Sequence, residues 1–325
     1  MRGMNVGRTA QWRFRPSPIR ESLRDGTHDF AIANGGVFSP DERLLVLQAW
    51  DVVTIWDWKS KTKVGIVELP DVSGASFIDN RHIVLCNETG LYRCDLDELS
   101  VTPARRVEFA NGNMMRNAIA IPLQTPGVFL HRRDGAANLI HFKSDAHTIE
   151  KLADAKRITH LEQSLEGRFR CMVNDQNVAR LTDLSTGELL FEHTLDDEHI
   201  TTRFSRDSQQ VAILSADKCH VFDTAVPGEV RTIALDSFPQ HPQSLEFNAA
   251  GTELAIADSH GNIHLLDVAS GSKLYRLPAR FSSSWMCFAN GDRILATCDS
   301  IYRFNAWNLG RADHEMDALG IGVKR

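Results

Sequence analysis

The chain has 325 residues, 42% hydrophobic and 24% charged, with a formal net charge of −6 at pH 7. That balance provides for a sizeable core, and one large closed β domain accommodates the length. The acidic excess argues against a general nucleic-acid binder, no apolar stretch approaches the roughly 18 residues of a membrane span, and the N-terminus lacks the apolar segment of a secretory signal.

Taken in chain order, the first element is a basic arm over residues 1–29. Arg2, Arg8, Arg13, Arg15, Arg20 and Arg24 face only Glu21 among residues 1–24. Such an arm is more often a strand flank folded onto its own acidic surface than a ligand site. Within it, Thr9 to Phe14 alternates polar and apolar, as a strand does. A block then recurs: Phe, a Ser or Asn, an Asp/Asn/Gly turn, and an apolar strand. The clearest copies start at Phe38 (before Leu44 to Leu47), Phe204 (before Val211 to Leu214) and Phe247 (before Leu254 to Ala257). Weaker copies start at Phe77, Leu165 and Phe288, with a seventh near Ile121. A second marker keeps the same step: a polar turn leads into a strand closing on an acid at Asp57, Asp95, Asp183, Asp223 and Asp267. A period of roughly 40 to 45 residues with strand, turn and strand patterning predicts four-stranded blades stacked face to face. The fold expected is all-β, a single seven-bladed β-propeller over residues 30–310. The N-terminal strand would complete the last blade, for which too little sequence remains after Trp307.

The combination of markers resembles the WD-repeat family, whose units carry an Asp-Gly turn, a strand and a closing Trp-Asp pair. Trp56-Asp57 matches in full, and four further units keep the acid alone. The resemblance implies a buried hydrogen-bond chain of His28, Asp51, Thr54 and Trp56 that stiffens its blade, a structural role. After Asn308, Ala312, Met316 and Leu319 share a helical stripe that stops at Gly320. This is similar to the short terminal helix of planctomycete-type bacterial WD-repeat proteins, so residues 311–325 are expected to form a helical tail. Such propellers commonly end longer chains that bear a kinase or sigma-like module. The resemblance implies a stand-alone or C-terminal part of a bacterial signalling regulator.

Chemistry is thinly signalled. There is no G-x-S-x-G elbow, H-E-x-x-H pair, Walker loop or G-x-G-x-x-G run. Cys219 and His220 are neighbours on a predicted strand and so point to opposite faces, which prevents them from sharing a metal. The six cysteines are scattered without a C-x-x-C pair and read as buried thiols of a reducing cytoplasm. No catalytic residue, metal site or cofactor is expected. The function expected is a non-catalytic protein-protein interaction scaffold, monomeric and cytoplasmic, without nucleic-acid or membrane partners. Its contact candidates are the turn residues Trp50, Arg132, Arg133, Tyr275 and Arg276, because Arg and aromatic side chains dominate binding hot spots. The competing reading is a lactonase-like propeller hydrolase with a metal at its central channel.

Overall fold

A computed structural model describes residues 11–12, 35–48, 52–60, 62–96, 104–107, 119–133, 136–143, 146–152, 158–196, 200–215, 218–235, 242–278, 283–299 and 304–309. The strands form seven four-stranded antiparallel sheets. Six of them are sequence-local, over 35–68, 74–106, 119–151, 158–194, 200–234 and 242–278. The seventh combines Ser283–Ala289, Ile294–Asp299 and Phe304–Asn308 with Gln11–Trp12 from the far end of the chain. Gln11 pairs opposite Trp307 and Trp12 opposite Ala306, as the alternation from Thr9 to Phe14 predicts. The helix expected over 311–325 lies outside the described residues.

The chain divides into two compact units, Pro18–Gln163, and Ser164–Arg325 with Met1–Ser17. In the first, the second strand of the second sheet (His82–Asn87) shows why these sheets need neighbours on both sides. Ile83 and Leu85 enter a core with Val46, Val53 and Ile55 of the first sheet, while Val84 and Cys86 enter another with Phe129 and Ile140 of the third. Successive side chains leave a strand on opposite faces, so an unbroken apolar run belongs to two cores at once. Polar links tie these sheets, and the third to the first strand of the fourth. The Asp41 N–H donates to Asn80 Oδ1 over 3.1 Å, the Gly127 N–H to Ser76 Oγ over 2.9 Å, and the Gln124 N–H to Glu162 Oε1 over 2.7 Å. Gly127 reaches its acceptor at a φ of 68°, where a residue without Cβ carries no steric penalty.

The second unit repeats the device. Val211 and Ile213 pack with the fourth sheet, and Ala212 and Leu214 with the sixth. In the sixth sheet Leu254 and Ile256 share that core, whereas Ala255 and Ala257 meet Met286, Leu295 and Trp307 of the seventh. Phe191 stacks on Phe222 at 3.8 Å between centroids, fastening the fourth sheet to the fifth. Arg203 Nε bonds Glu246 Oε2 at 3.1 Å, fastening the fifth to the sixth.

The register refines the repeat. Phe38, Phe77, Phe204, Phe247 and Phe288 each end or nearly end a first strand, paired with Leu45, Ile83, Val211, Leu254 and Leu295. In the third sheet the matching residue is Pro122, paired with Phe129, one position beyond Ile121. In the fourth, the first strand ends at Gln163, so Leu165 falls in the turn rather than at the anchor. Ser164 there supplies the turn bond, accepting from the Phe169 N–H at 3.0 Å, and no Phe marks the place.

Deleting residues 1–16 removes the fourth strand of the seventh sheet and is expected to lower the thermal midpoint by several degrees, as calorimetry would read; an unchanged transition would refute the pairing role. Gly74 admits no larger residue, since a Cβ would lie 2.6 Å from Pro122 Cδ and 2.9 Å from Cys86 Sγ. Gly74→Ala should therefore cost about 1–3 kcal/mol in chemical denaturation through overpacking.

Candidate functional site

Many of the described Ser and Asp side chains are engaged in turns. Ser39 Oγ donates to Asp41 Oδ1 at 2.6 Å and accepts the Leu44 N–H at 2.9 Å, while Asp41 Oδ1 also accepts the Arg43 N–H at 3.1 Å. Ser205, Asp207 and Gln210 repeat this pattern at 2.6 and 2.9 Å. The strand-closing acids act likewise: Asp57 Oδ1 accepts the Ser60 N–H at 2.8 Å, Asp183 Oδ1 the Ser185 N–H at 2.8 Å, and Asp223 Oδ1 the Ala225 N–H at 2.7 Å. Asp183 is also clasped by the Arg168 guanidinium at 2.7 and 3.0 Å. That clasp first, then Ser185, holds its carboxyl well below the usual range. These carboxylates bind backbone, as expected of turn acids.

A third set escaped sequence reading. At the end of the second strand, Asn87 Oδ1 accepts the Thr89 and Gly90 N–H groups at 2.8 and 3.0 Å. Asn174 Oδ1 accepts those of Gln176 and Val178 at 3.0 and 2.9 Å. Asp258 Oδ1 accepts those of His260 and Asn262 at 3.0 and 2.8 Å. The signal was present one residue before each polar turn, but no residue type is shared by all three.

Of the four-membered chain inferred for the first sheet, Trp56 Nε1 donates to Thr54 Oγ1 at 2.9 Å and both side chains are buried. His28 and Asp51 lie outside the described residues. A fuller buried network sits in the sixth sheet instead. Asp258 Oδ2 accepts Asn262 Nδ2 at 2.8 Å and meets His264 Nε2 at 3.1 Å, with Asp258 0% and His264 1% exposed. Burial alone would raise the Asp258 carboxyl, but donation from the Asn262 side chain and backbone and from His264 outweighs it and holds the group low. Burial pushes His264 down against the pull of Asp258, so the pair is a carboxylate with a neutral imidazole at pH 7.

The contact candidates are placed as follows. Arg132 and Arg133 end the second strand of the third sheet (Val128–Arg133). Arg132 is half-buried, its Nη2 donating to the Ile158 carbonyl, so it fastens the third sheet to the strand after it. Tyr275 and Arg276 lie on the fourth strand of the sixth sheet (Lys273–Pro278), where Arg276 is exposed and its Nε donates to Asn262 Oδ1 at 2.9 Å. Trp50 lies outside the described residues. Cys219 and His220 share the strand Lys218–Asp223. The His220 ring lies 4.9 Å from that of His193, and burial first, then His193, lowers its pKa. Among the described residues no three His, Cys, Asp or Glu side chains gather to hold a metal ion, and no helix is long and apolar enough to cross a membrane. The six cysteines form no disulfide, and burial pushes the thiols of Cys86, Cys94 and Cys219 up to about 12.

No protein-family model and no curated protein matches the chain. Solved structures do. The β-propeller domain of Cps50 (Swd1) from Myceliophteria thermophila is similar with a TM-score of 0.68 and 15% identity, over 87% of this chain and 98% of that one. A chain of the mitotic checkpoint complex gives 0.66 and 14%, over 87% and 88%. A chain of Kuenenia stuttgartiensis hydrazine synthase gives 0.64 and 14%, over 87% and 98%. At such identities the likeness concerns fold. Together with the seven four-stranded sheets it defines the chain as a seven-bladed β-propeller.

A pH dependence follows from two of the buried histidines, His220 and His264. Both have folded pKa values below the ordinary 6.5, so their contribution is complete above about pH 6.5 and is lost as pH falls through the unfolded value towards the folded one. Urea midpoints should therefore hold between pH 8 and 7 and decline between 6.5 and 5. The slope reaches at most about 1.4 kcal/mol per pH unit for each histidine. His264→Gln, which retains a donor towards Asp258, should flatten that decline; an unaltered slope would remove His264 from the account.

Proposed function

We propose that this propeller is a non-catalytic protein-interaction scaffold of the WD-repeat kind, a stand-alone relative or C-terminal part of a bacterial signalling regulator acting in the cytoplasm. The observation that carries the reading is the fate of the carboxylates. In sheet after sheet, Asp41, Asp57, Asp183, Asp207, Asp223 and Asp258 are committed to turn backbone. Groups so engaged hold loops in place and are poorly disposed to act as acids, bases or ligands. What the turns then offer outward is shape and side-chain chemistry for a partner. Propellers similar to this chain include the Swd1 domain and a component of the mitotic checkpoint complex, and the second is an assembly of proteins by its title. A fold hosts many functions, so this likeness supports the reading without deciding it.

Trp50, Arg132, Arg133, Tyr275 and Arg276 remain the contact candidates. Arg133 is the better probe of the third sheet, because Arg132 has a structural bond to lose. Affinity capture from lysate of the source cells should recover a protein partner with the parent chain, and Arg133→Glu or Arg276→Glu should reduce recovery several-fold. The hydrolase reading makes the opposite prediction for metal analysis: a stoichiometric, tightly held divalent ion in the purified protein would favour it over the scaffold.

A further inference from the structure

Two exposed cations of the sixth sheet stand on one strand, backed by a buried anion. Lys273 and Arg276 are both exposed on Lys273–Pro278, with Arg276 opposite His264 and Lys273 opposite Leu266. They share a local field: after burial, Arg276 is the strongest influence holding the Lys273 ammonium below its ordinary value. The buried Asp258 carboxylate acts on the same ammonium in the opposite sense.

The Arg276 guanidinium is also held in place. Its Nε donates to Asn262 Oδ1 at 2.9 Å, Asn262 Nδ2 donates to Asp258 Oδ2 at 2.8 Å, and His264 Nε2 meets that same oxygen at 3.1 Å. Asn262 is 7% exposed and Asp258 0%, so the inner part of this relay is rigidly packed. Because a guanidinium is planar, fixing Nε restricts its plane, and Nη1 and Nη2 donate to no described residue. Asp258 lies behind Asn262 and meets Arg276 only through that amide, so it orients the arginine and leaves its outer donors open. A pre-oriented planar fork with a second cation beside it suits a carboxylate, which can accept two parallel N–H bonds.

We infer that Arg276, positioned by Asn262 and Asp258 and flanked by Lys273, is a docking point for an Asp or Glu side chain of an acidic segment in a protein partner. The inference rests on the interaction-scaffold reading and narrows it to the chemistry of the partner. Asn262 and Asp258 are positioning residues: they set how well the fork is aimed and touch no ligand.

Fluorescence anisotropy with a labelled Glu-rich hexapeptide, its Gln counterpart and a phosphoserine counterpart tests this on the full chain. The Glu peptide should bind saturably and the Gln peptide should not. Arg276→Gln, an exposed change that leaves the core intact, should weaken binding about tenfold or more, the loss expected for charge-assisted hydrogen bonds. Arg276→Lys, which keeps the charge and loses the fork, should weaken it by a smaller factor, and Arg105→Gln on the second sheet should leave it unchanged. Asn262→Ala, which removes the acceptor for Nε, should weaken Glu-peptide binding several-fold in protein whose circular dichroism spectrum matches the parent; unchanged affinity would reduce Asn262 to a packing role and overturn the relay. Equal binding by the parent and Arg276→Gln, or tighter binding of the phosphoserine peptide than of the Glu peptide, would overturn the carboxylate site. If that happened while lysate capture still recovered a partner, this inference alone would fail and the scaffold reading would stand.

Discussion

Burial of both faces along the second strand of most sheets is the constraint on which the rest depends. A strand such as Glu253–Asp258 is buried along its whole length and divides its side chains between two cores. Each fully buried Leu or Ile contributes about 1.5–3 kcal/mol, and a sheet standing alone would forfeit one of its two faces. The sheets are therefore interdependent in the manner of repeat architectures, where intrinsic stability and neighbour contacts add. Gly74 shows how closely the layers approach, since the pyrrolidine ring of Pro122 occupies the space where a Cβ would project.

The turns follow from the same geometry. Strands that pack on both sides must reverse within a few residues, and each reversal leaves backbone N–H groups that need acceptors. Ser39 and Ser205 meet that need with identical geometry, whereas Asn248 does it through an amide, accepting the Thr252 and Glu253 N–H groups at 2.9 Å. Serine with aspartate and asparagine alone are interchangeable answers to one requirement. That freedom explains why the repeat has drifted in sequence while the sheets keep one register.

Legibility in the sequence tracked how visible each acceptor was. The Phe anchors and closing acids announced the number of sheets, the strand pairs and the N-terminal strand of the seventh sheet, because apolar alternation and Asp-led turns carry an unambiguous period. The fourth anchor lies two residues before Leu165: Gln163, buried at 3% exposure, stands where five other sheets have Phe. The buried network of Asp258, Asn262 and His264 was invisible. It spans a turn and a strand, and its histidine, between Ile263 and Leu265, looked like any other strand residue. Of the contact candidates, Arg276 was recognisable as a turn-proximal cation, but the amide that aims it becomes apparent only when Asn262 and Arg276 are seen on adjacent strands.

The cysteines carry a practical consequence. With three thiols near 12, the nucleophilic form amounts to about one part in 100,000 at neutral pH, and Cys171 and Cys298 are sealed in the interior as well. Cys287, on Ser283–Ala289, is the one cysteine that is not buried. A maleimide dye or spin label added to the unaltered chain is thereby directed to a single address on the seventh sheet, beside the strand neighbours Ala296 and Phe288. Spectroscopic reporting from this ring needs no prior removal of the other five sulfhydryls.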